Sequence, residues 1–250
     1  MRVLRLEAGA RVRLADGQGS RGVGTVLRVA KRNAAVHVEH CEFIEPLPAV
    51  HLIVPIADRE RMLWLAEKAT ELGATSWRPV MFKRSRSVSP RGEGTTFQQR
   101  LRARMASALE QSGGAWLPLP YPDSTVEGSI AAAPEGIRIV LERGGAPMTS
   151  LLAGESHLPV TIVLGPEGGL EASELEAFGK AGFRSASLGT SLLRFETAGV
   201  AAVAVARAVS HGAMQRSAAT DVAATDEAAT DVAATERAAM EHAASEGART

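Results

Sequence analysis

Two short glycine-bearing stretches hold most of the chemistry that this sequence offers. The first, Gly165-Pro166-Glu167-Gly168-Gly169, follows Val160-Thr161-Ile162-Val163-Leu164, a β-branched run of the kind buried in a parallel sheet. The second, Leu188-Gly189-Thr190-Ser191, leads through Leu192 and Leu193 into Arg194-Phe195-Glu196-Thr197-Ala198 and then an alanine-rich helical run. Glycines let a ligand approach the backbone closely, and both loops are rich in backbone donors and acceptors with almost no charge aimed inward. Neither matches a nucleotide-phosphate fingerprint: the phosphate loop needs a lysine and a hydroxyl at fixed offsets, and the dinucleotide motif needs another glycine spacing. Such a site suits a neutral, flat group such as adenine better than a triphosphate. For either stretch alone, an ordinary strand-to-helix turn is the competing reading.

Taken in order, LGPEGG at residues 164–169 and SLGTSLLRFETA at residues 187–198 resemble the paired signature of the SPOUT methyltransferases, specifically the ribosomal RNA small-subunit methyltransferase E family. The resemblance implies methylation of N3 of a uridine near the 3′ end of 16S rRNA, U1498, with S-adenosylmethionine (SAM) as donor. It implies an α/β catalytic domain with a deep C-terminal trefoil knot, a rare exception to unknotted connections. It also implies a PUA-like β-barrel ahead of that domain and a cytoplasmic homodimer whose partner is 16S rRNA or the small ribosomal subunit. The donor site would comprise Leu164, Gly165, Pro166, Glu167, Gly168 and Gly169 from the first loop and Leu188, Gly189, Leu193 and Arg194 from the second. Glu142, at a strand's C-terminal end, is a further candidate by the crevice rule for open sheets.

N3 of uracil lies between two carbonyls and must lose a proton before its lone pair can attack the methyl group. Catalysis then needs alignment and a way to stabilise the uridinate. Arg194 is expected to donate to a uracil carbonyl oxygen as charge develops; pairing with Glu196 or capping a loop is the bland alternative. Glu196 is expected either to act as a base or to hold Arg194 and Thr197 in place. Phe195 stands where the family commonly has threonine. No metal is required, because the sulfonium is already activated.

The elements that position these loops are legible in the rest of the chain. Hydrophobic residues make up 45% of it and mean hydropathy is near zero, ordinary values for a globular protein. No apolar run reaches membrane-span length and no signal-peptide pattern opens the chain. Cys41 is the one cysteine, so no disulfide closes within the chain. The nearby His37, Glu39, His40 and Glu42 lack a second half with ligand spacing and read as the polar end of a strand rather than a zinc site. Alternation over residues 12–14, 24–29 and 35–38 predicts a small antiparallel barrel within residues 1–45. Val3-Leu4-Arg5-Leu6-Glu7-Ala8-Gly9 looks like the family's VLRLxxG segment. Family members carry a further strand before it, so a misassigned start codon is expected.

Residues 46–49 read as a proline-stiffened linker, and residues 50–214 as the SPOUT domain. There, strand candidates at residues 50–54, 77–82, 137–142, 160–164 and 186–188 alternate with helical patterns, which argues for a parallel α/β sheet. Asp58 is an expected N-cap for a helix that Gly73 stops. Lys68 and Glu71, in a segment similar to the family's KATELG, read first as a helical i,i+3 pair. The basic residues Lys83, Arg84, Arg86, Arg91, Arg100 and Arg104, with Arg5 in the N-terminal segment, are candidate RNA contacts on the ground that few acids are nearby. Phe97, Leu101, Met105 and Leu109 recur every fourth residue and predict a buried helical stripe. Glu110-Gln111-Ser112-Gly113 resembles the family's EQSGR element, with Gly114 in place of the arginine.

Residues 215–250 repeat in alanine-rich pentads, a period that matches no helical seam, and are expected to be disordered. From Arg216 onward the chain carries 7 acids and 3 bases, leaving 25 bases and 21 acids before it, a net charge of +4. That mild basicity is consistent with a polyanionic substrate. Two other readings remain open: a SPOUT methyltransferase acting on another RNA, against which the barrel and EQSG element argue, and a non-catalytic RNA-binding ribosome-assembly protein of the same fold.

Overall fold

Alternation of apolar and polar residues at the N-terminus builds three strands, β1 (Arg11–Ala15), β2 (Ser20–Val29) and β3 (Ala34–Phe43), in one antiparallel sheet of order β1-β2-β3. The computed structural model describes residues 6–31, 33–85 and 95–212. Among them the expected barrel is an open three-stranded sheet, too few strands to close on themselves. Glu39 and Glu42 on β3 pair across the sheet with Arg11 (2.8 Å) and Arg21 (2.7 Å), so these carboxylates serve the strand. Trp116 anchors this sheet to the larger part of the chain: its Nε1–H donates to the Ile44 carbonyl (2.9 Å) and its ring meets Phe43 edge-on at 5.8 Å.

That larger part comprises β4 (Val50–Pro55), α1 (Arg59–Glu71), β5 (Ser76–Val80), α2 (Thr95–Ser112), β6 (Leu119–Pro120), α3 (Val126–Ala131), β7 (Ile137–Pro147), α4 (Met148–Leu152), β8 (Val160–Val163), α5 (Ala172–Lys180) and β9 (Arg184–Ser187). A final helix, α6, covers residues 195–212. Its six strands form one parallel sheet in the order β6-β5-β4-β8-β7-β9. Helices cover both faces, which is why the central strands are apolar on both sides. Leu52, Val54, Ile139 and Ile162 pack with α1, α2, α4 and α6 on one face; Ile53, Val140 and Val163 pack with Val126 and Phe178 of α3 and α5 on the other. The expected stripe of Phe97, Leu101, Met105 and Leu109 is buried along α2. Asp58 caps α1 as expected, accepting the Arg61 N–H at 3.1 Å.

From β4 the chain moves through α1 to β5 on one side, whereas β8 leads through α5 to β9 on the other. Adjacent strands that diverge in this way open a crevice at their C-terminal ends, where ligands bind in open α/β sheets. The first glycine loop leaves β8 at that edge, and the second leaves β9 at the same edge. The structure adds three features to the expected strands: a two-residue edge strand, β6, the extension of β7 to Pro147, and a register shift in its pairing with β9 between Leu141 and Ala146.

At the opposite sheet edge His51 is half-buried, its Nδ1 within 2.8 Å of Ser76 Oγ. Burial, aided by Arg207 and Arg78, holds its pKa below the ordinary value. An imidazole harder to protonate in the folded state than in the unfolded chain stabilises the fold above the unfolded pKa of about 6.5 and loses that contribution as pH falls towards the folded value. Thermal stability is therefore expected to drop between pH 7 and pH 5, and His51→Asn to flatten the drop; calorimetry at the two pH values measures it.

Candidate active site

The first loop starts from a fixed base. The Leu164 N–H donates to the Ile53 carbonyl at 2.9 Å, extending the β8–β4 ladder, and the Leu164 side chain is buried in the core. Only its backbone is therefore left for a ligand. Beyond it, the Gly169 N–H turns back to the Pro166 carbonyl at 2.8 Å, with Gly169 at φ +72°, a left-handed conformation that favours glycine. Gly168 lies against Arg84: a Cβ there would sit 3.1 Å from Arg84 Cβ and 3.3 Å from its carbonyl oxygen. The Arg84 Nη1–H donates to the Gly168 carbonyl at 3.2 Å. The N–H groups of Gly165, Glu167 and Gly168 make no hydrogen bond to another described residue.

Behind this loop, Glu174 fixes the start of α5. Its side chain is buried, with one oxygen accepting the Glu171 N–H and the other the Lys83 N–H, both at 2.8 Å. A carboxylate can stay buried on this apolar face because both oxygens have donors. Glu174→Gln leaves one of the two backbone N–H groups facing an amide NH2, and is expected to cost about 1–3 kcal/mol, measurable by urea unfolding.

The second loop offers a contrasting surface. Leu192 is 80% exposed and Leu193 37%, and the N–H groups of residues 189–193 bond to no other described residue. The loop ends where α6 begins, with Phe195 buried in the core and the Ala198 N–H bonded to the Arg194 carbonyl at 2.8 Å. Phe195, at the position where the family commonly has threonine, is thus a packing residue. Arg194 is exposed and forms no ion pair with a described residue. Glu196 is 8% exposed and is not Arg194's partner. Its Oε1 lies 3.7 Å from Arg61 Nε, and its Oε2 is buried with no hydrogen-bond partner among the described residues.

Arg61, at the start of α1, also pairs with Glu167 of the first loop. One guanidinium therefore ties the first loop to the start of α6, where the second loop ends. Gly199 brings α6 close to α1 and to the end of β8, since a Cβ there would meet Leu65 Cδ1 at 2.7 Å and Leu164 Cδ1 at 2.9 Å. Sequence reading gave no signal for Arg61, because its partners are remote in the chain and arrive only through the fold. Glu142 stands apart from this tie: it is exposed at the β7 register shift and accepts from Ser185 Oγ at 3.0 Å.

The candidate RNA contacts divide. Lys83 and Arg84 flank the first loop and face Glu171 at 3.4 and 3.8 Å. Arg100 and Arg104, expected in acid-poor surroundings, pair instead with Glu60 (3.0 Å) and Glu67 (2.8 Å) of α1. Lys68, whose expected pair with Glu71 is present at 2.7 Å, also reaches Glu67, and hydrogen bonds from Lys68 and Arg104 hold the Glu67 carboxyl below its ordinary pKa. These groups line a groove of about 770 Å³ between α1 and α2, whose charges are largely neutralised internally and whose lining includes no residue of either loop. Arg5, Arg86 and Arg91 lie outside the described residues. Gly114 packs on Leu109, and the Gly113 carbonyl accepts from Arg21 Nη1 at 3.3 Å.

Residues 45–207 match the model of the RNA methyltransferase domain family. A ribosomal RNA small subunit methyltransferase E from Synechocystis is 32% identical over 210 residues, covering 81% of this chain and 67% of that protein; its Rickettsia conorii namesake is 27% identical, covering 82% and 83%. The SAM-bound crystal structure of a ribosomal RNA small subunit methyltransferase E from Neisseria gonorrhoeae superposes with a TM-score of 0.74 at 26% identity, covering 83% of this chain and 86% of that one. A probable rRNA methyltransferase from Porphyromonas gingivalis gives 0.72 at 30% identity, covering 84% and 89%. With its paired loops at the crevice of a parallel sheet, the chain belongs to the ribosomal RNA small subunit methyltransferase E family of RNA methyltransferases.

Proposed function

We propose that this protein methylates N3 of U1498 in 16S rRNA of the small ribosomal subunit. As a family member it is a SAM-dependent rRNA methyltransferase; the base, the atom and the position are the proposal. The observation that carries it is the Arg61 link from the first loop, whose N–H groups are uncommitted, to Glu196 at the start of α6, whose buried Oε2 has no partner among the described residues.

These residues fit the donor. Gly165, Glu167, Gly168 and residues 189–193 offer backbone groups to adenine and to the polar ends of SAM, with Pro166, Gly169 and Leu188 shaping the loops and Leu192 and Leu193 giving an apolar wall. Leu164 contributes through its backbone, and Glu142 lies at the β7–β9 edge of the same crevice. When bound, SAM would supply a methyl group already activated on a sulfonium, its carbon–sulfur bond breaking as the new bond forms and the sulfur leaving as a neutral thioether. Around it, Glu196 Oε2 takes the imino proton from uracil N3, leaving the lone pair that forms the new bond to the methyl carbon. Arg194, exposed and unpaired among the described residues, donates to a uracil carbonyl oxygen where negative charge gathers, a preorganised donor of the oxyanion-hole kind. Lys83 and Arg84 lie beside the first loop, where substrate phosphates would pass.

The open antiparallel sheet is read as part of a PUA-like RNA-binding domain, the connection from β9 into α6 as a trefoil knot, and the functional species as a cytoplasmic homodimer. Calorimetric titration with SAM, and then transfer of labelled methyl groups to small subunits from a strain lacking the modification, tests the central reading. Saturable SAM binding and stoichiometric labelling are expected; no heat and no labelling would overturn it.

A further inference from the structure

We infer that Arg61 is a positioning residue for methyl transfer, tying the first donor loop to the start of α6 and orienting the Glu196 carboxylate. The inference rests on the reading of the site proposed above. Arg61 lies in the first turn of α1, directly after the β4 end of the crevice, in a helix held by the Asp58 cap and by the buried Met62, Leu63, Leu65 and Ala66. Its backbone is therefore fixed by the core, and its side chain, 32% exposed, reaches out over the sheet edge. There the guanidinium meets Glu167 of the first loop and, through Nε at 3.7 Å, Oε1 of Glu196 just behind the second.

The geometry decides which function this serves. A surface ion pair between mobile side chains stabilises little. Here one planar fork, which carries five N–H donors, faces two carboxylates, one from the first loop and one from the first turn of α6. At 3.7 Å the Arg61 Nε contact is an ion pair that draws Oε1 electrostatically, and Oε2 is the atom that has no partner among the described residues. A buried acceptor left unsatisfied is costly and is explained if an incoming N–H completes it. Arg61 thereby sets the carboxylate that meets the substrate without itself touching the reacting atoms. A lysine could supply the charge but not the fork.

Among the described residues Arg61 pairs with Glu196 and also with Glu167 of the first loop, whereas Arg194, two residues before Glu196, pairs with neither. Removing Arg61 leaves two carboxylates with no cation between them. The test is steady-state kinetics on Arg61→Met, Arg61→Lys, Glu167→Gln and the Arg61→Met/Glu167→Gln double variant, with unfolding midpoints measured in parallel. Arg61→Met is expected to lower kcat by about 10- to 100-fold, as misplacement of a reacting group does, with a smaller rise in KM for SAM. Arg61→Lys is expected to recover part of kcat. The double variant is expected to be no worse than Arg61→Met, because both changes break one tie.

An Arg61→Met protein with kcat within about twofold of wild type, or losses that simply multiply in the double variant, would overturn the inference while leaving the methyltransferase reading intact. Should Arg61→Met fail to fold, Glu167→Gln, a change at an exposed carboxylate, carries the test: a several-fold fall in kcat supports the tie, and an unchanged kcat refutes it. A wild-type protein that transfers no methyl group overturns the reading of the site, and this inference with it.

Discussion

Arg194→Ala is expected to slow methyl transfer by about 10²- to 10³-fold, the effect of removing one preorganised donor from a developing oxyanion, while SAM affinity stays within about threefold of wild type. The reason lies in the commitments that Arg194 lacks. Glu196, near it in sequence, is turned to Arg61, and Arg194 itself is exposed without an ion pair among the described residues. Its backbone carbonyl already serves α6 by accepting the Ala198 N–H, so truncating the side chain leaves the helix start intact. Calorimetry with SAM and single-turnover methyl transfer separate the two quantities. Normal turnover would remove Arg194 from the chemistry; lost SAM binding with normal turnover at saturation would make it a donor-binding residue instead.

Phe178→Ala is expected to destabilise the fold by about 3–5 kcal/mol, the usual cost of emptying a buried aromatic site. Phe178 is fully buried on the α5 face of the sheet, edge-on to Phe183 at 5.0 Å and tilted against Phe82 at 6.4 Å. These three rings join the helix after the first loop to the strand ends on either side, so their loss reaches the site. Phe82 directly precedes Lys83, whose N–H is held by Glu174 at the start of the same helix. Urea unfolding gives the stability change. Added SAM should restore part of it, because a ligand that binds only the native state raises apparent stability by mass action. A loss below about 1 kcal/mol would mean that the cluster collapses around the deletion.

The catalytic sheet was legible because its strands are apolar on both faces and are bounded by caps and glycines. The Val160 run, the Asp58 cap and the fourfold stripe on α2 each carry a local signal. The register shift that extends β7 was not legible, since nothing in Arg143-Gly144-Gly145 announces that pairing resumes at Ala146. The N-terminal alternation revealed strands but not closure, which depends on how many strands meet. At the site, the loops were visible as glycine-bearing turns, and the tie through Arg61 from the first loop to the start of α6 was not, because an ion pair between remote segments leaves no periodic trace. The acid partners of Arg100 and Arg104 were hidden for the same reason: they lie on α1, far away in sequence and adjacent in space.

The most direct test of the central claim is nucleoside mass spectrometry of 16S rRNA from small subunits that lack the native modification, before and after incubation with this protein and SAM. The predicted result is one new 3-methyluridine per 16S rRNA, mapping to U1498 and appearing about 10²- to 10³-fold more slowly when Arg194→Ala replaces the wild type. A methyl group on another base or another atom, or none at all from a protein that binds SAM, would contradict it.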